Sequence, residues 1–404
     1  DLCEVITKGT TPTSIGYNFT DSGIKFIKVE SLTESGEIIP NKVAYIDEAC
    51  HQALKRSQLK KNDILFSIAG ALGRIGIVKE DILPANTNQA LAIIRLKKDS
   101  NAIVEFIAKY FNSNIVTDEI EKLRIGAAQQ NLSLTQLNNL FVPLPPLPEQ
   151  QRIVSILDEA FAAIAKAKAN AEQNLLNSNE LFENATQEIF TQKGIDWEEK
   201  LLGEFATFRN GINYTKGSKG EKIKIVGVKD FQDSYWVPDN DLVEVSLDGK
   251  INETDLLQEG DILAVRSNGN PQLIGRTLLA GKINEKVSHS GFTIRIRLNS
   301  KIVNPNYLCH FLKIQQTRKT LVESGNGVGI KSLNQGSLSS LKIPFPKSLR
   351  EQEAIIDKVD SIAEQSQKLK DIYQKKIDDL EELKKSILQK AFNGELIEPA
   401  GELK

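Results

Sequence analysis

Apolar residues in this chain follow two different periods. Short runs bounded by Gly, Pro, Asn and Asp predict strands at Ile24–Val29, Asp63–Ile68, Gly76–Lys79 and Ala90–Leu96, and again at Ile223–Val228, Asp261–Arg266 and Phe292–Leu298. Helical spacing appears at Ala102–Phe111 and Tyr307–Lys319. Together these predict mixed α+β modules, each with a curved, mostly antiparallel sheet.

The second period is a heptad. Steps of four and three run through Ile153, Leu157, Ala160, Ile164, Ala167 and Ala171, later Leu181 and Ala185. They run again through Ile355, Val359, Ile362, Ser366, Leu369 and Tyr373, later Leu380, Leu383 and Ile387. Proline, which a helix interior does not tolerate, is absent between Pro148 and Pro238 and between Pro346 and Pro399. An amphipathic surface helix is the simpler alternative. A seam present twice, flanked by charges, favours two long helices packed on each other. Forty residues of helix make a rod of roughly 60 Å, and a pseudo-twofold would lay the pair antiparallel with a module at each end.

The whole pattern is a tandem duplication. VPLPPLPEQQRIVSILD from Val142 returns as IPFPKSLREQEAIIDKVD from Ile343, Asn62-Asp63-Ile64-Leu65 returns as Gly260-Asp261-Ile262-Leu263, and Gly126 and Phe190 return as Gly327 and Phe392. A period of about two hundred residues exceeds that of solenoid repeats, so each copy is expected to own a core. The expected divisions are a first module at 1–148, a central helix at 149–193, a second module at 194–347 and a C-terminal helix at 348–404.

Composition narrows the class. An apolar content of 40% is globular, and no apolar run is long enough for a membrane helix. Cys3, Cys50 and Cys309 make an odd count without a CxxC pair, which predicts neither a disulfide framework nor a zinc site and fits a reducing cytoplasm. No methionine occurs, and the sequence offers no physical reason for it. Net charge is −2, but residues 194–343 carry 20 basic and 17 acidic side chains while 143–193 carry 4 and 7. The modules are thus neutral to slightly basic and the helices acidic, which supports a nucleic-acid face on the modules only weakly.

In combination, the PLPPLPEQQRIV block, the NDILFS and GDILAV strands, the opening KGTTP, the GAAQQNLSLTQLNNLFVPLP run and the closing SILQKAFNGEL resemble the specificity subunit of type I restriction-modification enzymes. The resemblance covers nearly the whole chain, in the family's order. It implies two target-recognition domains in tandem pseudo-repeat, separated by two long helices forming an antiparallel coiled coil. It implies that each domain reads one part of a split, asymmetric sequence in double-stranded DNA, while the helices dock two methyltransferase subunits and, through them, restriction subunits. S-adenosylmethionine, ATP and Mg would belong to those partners, with no cofactor in this chain. Because the chain opens at Asp1 on the first recognition strand, the family's short lead-in is expected to be missing. Two rivals are the recognition part of a single-chain restriction or modification enzyme and a free DNA-binding regulator; the acidic helices, suited to protein rather than phosphate, count against the latter.

Catalytic motifs are not expected. Asn304-Pro305-Asn306-Tyr307 resembles the N-P-P-[FY] loop of adenine methyltransferases, but Asn306 replaces the second Pro and a helix start explains it. Gly325 to Gly329 lacks the strand, third spaced glycine and acid of a dinucleotide fingerprint. His51, His289 and His310 have no metal-ligand spacing.

The readers of DNA are instead expected on loops, with Arg and Lys for guanine or phosphate and Asn or Gln for adenine. In the first module these are Lys8, Thr10 and Thr11, then Arg74 in the Ala69–Arg74 loop, and Gln129, Gln130 and Asn131. In the second they are Arg209, Asn210 and Lys216, then Arg266 and Asn268 with Arg276, and Asn326 and Lys331. Ser67-Ile68-Ala69-Gly70 aligns with Val265-Arg266-Ser267-Asn268, so equivalent slots hold different side chains. For partner docking, the repeated helix starts point to Glu149 and Gln150, and to Glu351 and Gln352.

Overall fold

The computed structural model describes residues 2–33, 36–125, 131–215, 217–231, 234–323 and 332–396. The chain folds as two compact units, one made of Asp1–Glu172 with Lys375–Lys404, the other of Gln173–Gln374.

The strands of the first unit are β1 (Cys3–Lys8), β2 (Ile24–Ile27), β3 (Ala44–Ile46), β4 (Ile64–Ser67), β5 (Ile75–Ile77), β6 (Ala85–Thr87) and β7 (Leu91–Leu96). They form an antiparallel sheet in the order β1-β7-β4-β5 and a smaller one, β3-β2-β6, in which β2 and β6 are parallel. Its helices are α1 (Glu48–Ala53), α2 (Val104–Phe111), α3 (Asn114–Ile125), α4 (Leu134–Asn138) and the first part of α5 (Leu147–Thr191). Strand β4 is buried along its length because both faces are covered. Ile64 and Phe66 meet α2 and α3 residues such as Phe106 and Val116, while Leu65 meets Ile27 and Leu91 on the other side.

The second unit repeats this plan. Its strands are β8 (Trp197–Leu201), β9 (Ala206–Asn210), β10 (Lys222–Val226), β11 (Val243–Ser246), β12 (Ile262–Val265), β13 (Thr277–Leu279), β14 (Val287–His289), β15 (Thr293–Leu298) and β16 (Lys342–Pro346). Sheet orders β13-β12-β15-β9 and β11-β10-β14 reproduce those of the first unit, and β16 pairs with β8 in a separate ribbon. Helices α6 (Pro305–Lys313), α7 (Gln315–Glu323), α8 (Gln335–Ser339) and α9 (Leu349–Phe392) follow. The stretch expected as one helix, Tyr307–Lys319, is broken at Ile314, whose extended backbone (ψ 131°) puts its side chain into the core. One sheet per module was expected, and among the described residues each has two, with the β16–β8 ribbon besides in the second; strands of three residues are too short to show a period.

Two polar devices were copied with the fold. Arg95 holds Asp63 between β7 and β4, and Arg297 holds Asp261 between β15 and β12. The second device opens each long helix. Gln150 accepts from Ile103 N–H at 2.9 Å and donates to the Asn101 and Pro145 carbonyls at 2.8 Å. Gln352 likewise accepts from Asn304 N–H at 2.7 Å and donates to Ile302 and Pro346 at 2.9 and 2.8 Å.

Both long helices contribute to both units, and within each they run antiparallel. In the first, Lys168 Nζ meets Glu381 Oε1 at 2.5 Å, and Lys384 sits 5.3 Å from the Phe161 ring. In the second, Ser366 Oγ donates to the Ser178 carbonyl at 3.1 Å. The buried line on α5 passes Leu157, Ile164, Ala171 and Ser178, seven residues apart. Leu181 and Leu383, placed on the seam by the heptad count, are 62% and 46% exposed. An ideal helix drifts against a seven-residue repeat.

Candidate nucleic-acid interface

Each module gathers its polar loops around a turn that the sequence reading passed over. In the first unit that turn joins β6 to β7. Thr10 N–H donates to the Thr87 carbonyl at 3.2 Å, Thr11 Oγ1 bonds Gln89, and Ile68 N–H donates to the Ala90 carbonyl at 2.9 Å. Leu132 N–H reaches the Ile68 carbonyl at 2.9 Å, which brings Asn131 to the same rim. In the second unit Ile212 N–H donates to His289, Arg266 N–H to Phe292 and Leu333 N–H to Arg266, each at 2.8 Å.

Glycine makes the approach possible. A Cβ on Gly9 would lie 2.0 Å from the Thr87 carbonyl oxygen, and one on Gly211 would lie 2.2 Å from that of Ser290. These two glycines follow Lys8 and Asn210, the last residues of β1 and β9, so both side chains are carried to the rim on a strand end and are exposed.

Within this rim the expected readers differ in freedom. Among the described residues, Arg266 and Arg74 have no side-chain partner, and both are half-buried. Arg209 is ion-paired with Asp255. Asn268 Oδ1 accepts from Asn270 N–H at 2.8 Å and closes a turn. Thr10 Oγ1 accepts from Arg56 at 3.3 Å. Gln129, Gln130, Lys216, Asn326 and Lys331 lie outside the described residues.

Arg276 occupies the slot of Arg74: its carbonyl accepts from Val265 N–H at 2.9 Å, as Arg74 accepts from Ser67 at 2.8 Å. Its guanidinium reaches the Phe231 carbonyl at 3.4 Å and shares a recess of about 640 Å³ with Arg318 and Lys319. Burial, and then the neighbouring Arg276, hold the Arg318 pKa below the ordinary arginine value. Glu323 also lines the recess, and the remaining excess of positive charge favours an anion.

The expected docking residues separate by burial. Gln150 and Gln352 have no exposed surface, and their amides are committed to their own modules. Glu149 is partly exposed and held by Arg152 through two 2.8 Å contacts, and Glu351 is exposed.

Other titratable groups are structural. His289 is buried with Nδ1 2.9 Å from Thr293 Oγ1, and burial, with Arg295, Arg209 and Arg297 nearby, pushes its pKa down to about 3. His310 Nε2 lies 3.1 Å from Asp360 Oδ1. Burial lowers its pKa more than Asp360 raises it. Among the described residues no His, Cys, Asp and Glu group could hold a metal, the three cysteines are free, and no helix is long and apolar enough to cross a membrane.

Comparison with known proteins agrees with this plan. Residues 1–174 and 194–381 each match the family described as Type I restriction modification DNA specificity domain. The StySPI specificity subunit of Salmonella potsdam is 25% identical over 85% of this chain and 77% of its own length, and the EcoKI specificity subunit of Escherichia coli K12 is 24% identical over the same shares. The HsdS subunit of Thermoanaerobacter tengcongensis aligns over 98% of this chain and 95% of its own, with a TM-score of 0.59 at 19% identity. A solved chain from a study of complex assembly in the type I R-M system aligns over 98% and 96%, with a TM-score of 0.76 at 19% identity. These structural likenesses establish the fold. The two family matches cover both modules and much of both helices, and the chain belongs to the type I restriction-modification specificity family.

Proposed function

We propose that this chain is the DNA-reading subunit of a type I restriction-modification assembly, in which each module reads one part of a split, asymmetric target. The observation that carries the reading is a conserved frame with a changed rim. The Asp63 and Asp261 ion pairs, the Gln150 and Gln352 clamps and the Gly9 and Gly211 approaches are the same in both modules. On that frame Ile68 answers to Arg266 and Ala90 to Phe292. A frame that is copied while its rim diverges suits two readers of different bases.

Base contacts would come from Arg266 and Asn268, and phosphate contacts from the exposed Lys8 and the recess at Arg276. The chain itself supplies no reacting group. S-adenosylmethionine, ATP and Mg act in partner subunits. Two methyltransferase subunits dock by one mode each, because the partly exposed Glu149 and the exposed Glu351 open equivalent helices. Coexpression with a methyltransferase partner and mapping of methylated sites tests the whole reading. A two-part motif and a partner ratio of two by native mass spectrometry are expected. Methyl transfer from labelled S-adenosylmethionine by the purified chain alone would refute it.

A further inference from the structure

Beside Arg266 the second module has a cavity of about 480 Å³ that its frame does not require. Tyr214 and Phe292 line it and are 39% and 61% exposed, with Ile225 and Val243 completing an apolar wall. Its polar lining includes Asn268, the exposed Lys229 and Ser290. Ser290 is 3% exposed, and its Oγ has no hydrogen-bond partner. A buried hydroxyl without a partner is uncommon and calls for an explanation. Arg266 N–H donates to the carbonyl of Phe292 at 2.8 Å, so this wall is fixed to the residue expected to read a base.

Among the described residues, the first module differs at the positions that carry this lining. Counting from the paired glycines Gly9 and Gly211, Tyr214 corresponds to Pro12. Phe292 corresponds to Ala90 through the shared hydrogen bond, and Asn268 to Gly70 through the aligned loops. Neither of those two positions carries an aromatic ring in the first module, where the exposed Phe19 packs instead on Phe26, the counterpart of Ile225.

We propose that this cavity takes one nucleobase, unstacked from the duplex, from the half-site read by the second module. The proposal rests on the DNA-reading function above. Volume decides against a simpler apolar contact: the space is in the range that encloses small ligands, far larger than a thymine methyl group. Exposed aromatic rings offer a face to any base. Asn268 and the unpaired Ser290 hydroxyl offer hydrogen bonds to the edge that unpairing frees. Lys229 offers a cation to a flanking phosphate. Unstacking costs least where the base is already mismatched, and that gives the site a signature that groove reading lacks.

The test uses the complex with its methyltransferase partners and the motif found by methylation mapping. Each base pair of the second half-site is mismatched in turn, and binding is measured for the wild type, Phe292→Ala, Phe292→Trp and Tyr214→Ala. One mismatch is expected to tighten wild-type and Phe292→Trp binding, with the gain lost in Phe292→Ala and reduced in Tyr214→Ala. On matched DNA, Phe292→Ala should bind roughly 5- to 150-fold more weakly. A mismatch gain that survives Phe292→Ala belongs to the base engaged by the methyltransferase and counts against the cavity. If Arg266→Ala changes the motif while no mismatch effect depends on Phe292, the cavity proposal fails and the DNA-reading function stands. If neither substitution alters binding or motif, both fail.

Discussion

Arg297 grips Asp261 through Nε to Oδ1 and Nη2 to Oδ2, both at 2.7 Å, and the carboxylate is almost fully buried. Asp261 also accepts from Gln258 N–H at 2.7 Å, so the pair ties the edge of β12 to β15. Removing Asp261 leaves the largely buried Arg297 charge with only the Leu256 carbonyl as a partner. Asp261→Ala is expected to destabilise the second module by about 3–5 kcal/mol, and Asp63→Ala the first by a similar amount. Denaturant unfolding of the two variants checks this, and a loss under 1 kcal/mol would show that water replaces the carboxylate.

Gln150 and Gln352 distinguish a structural role from a docking role. Each side-chain amide serves three backbone groups. Gln352→Ala should cost about 1–3 kcal/mol for each buried group left unpaired, read as a lower unfolding midpoint with no partner present. Unchanged stability with a lost partner in native mass spectrometry would return the residue to the docking surface.

Arg266→Ala should weaken DNA binding by about 1–3 kcal/mol and relax one position of one half-site. Arg276→Ala, from the recess shared with Arg318, should weaken binding to all sequences and flatten the salt dependence. Affinity measured against salt, together with motif mapping, separates the two. Reversal of the two patterns would exchange their roles.

His289 gives the second module an acid limit. Its folded pKa of about 3 lies below the ordinary 6.5, so the unfolded chain takes up the proton first. The stabilising effect of the neutral ring is complete above about pH 6.5 and is lost as pH falls toward 3, at roughly 1.4 kcal/mol per unit. His289→Gln should remove most of that slope. Equal slopes for the two proteins between pH 7 and 5 would show that other groups set the acid limit.

Much of this plan was legible because it rests on burial. Strands β4 and β12 are covered on both faces, so Ile64–Phe66 and Ile262–Val265 read as unbroken apolar runs. The long helices announced themselves by missing proline and by heptads. What stayed hidden was polar or short. Gln150 reads as a surface residue in any sequence, and only the fold reveals that its amide is fully buried. The glycines and polar residues of the rim loops are what pointed to them in the sequence; Gln129, Gln130, Asn326 and Lys331 of the third loops lie outside the described residues. The turn at Asn88–Ala90 was not, because its role lies in hydrogen bonds to residues distant in the chain. Leu181 fits the heptad yet points to solvent, since periodicity counts residues and not the drift of the helix.

The first unit is assembled from two stretches of chain some two hundred residues apart, the second from the one continuous stretch between them. Phe106 and Tyr110 pack their rings against Phe392, at 5.3 and 5.2 Å, and Leu388 and Ala391 join the same core. On a ribosome, where domains generally form in order of synthesis, that order is inverted here. All the residues of the second unit exist while the first still awaits its closing aromatic, some 280 residues after Phe106 was made. Of the two modules, the one that comes earlier in sequence is thus the last to be completed, and truncation before Leu388 damages that module rather than the nearer one.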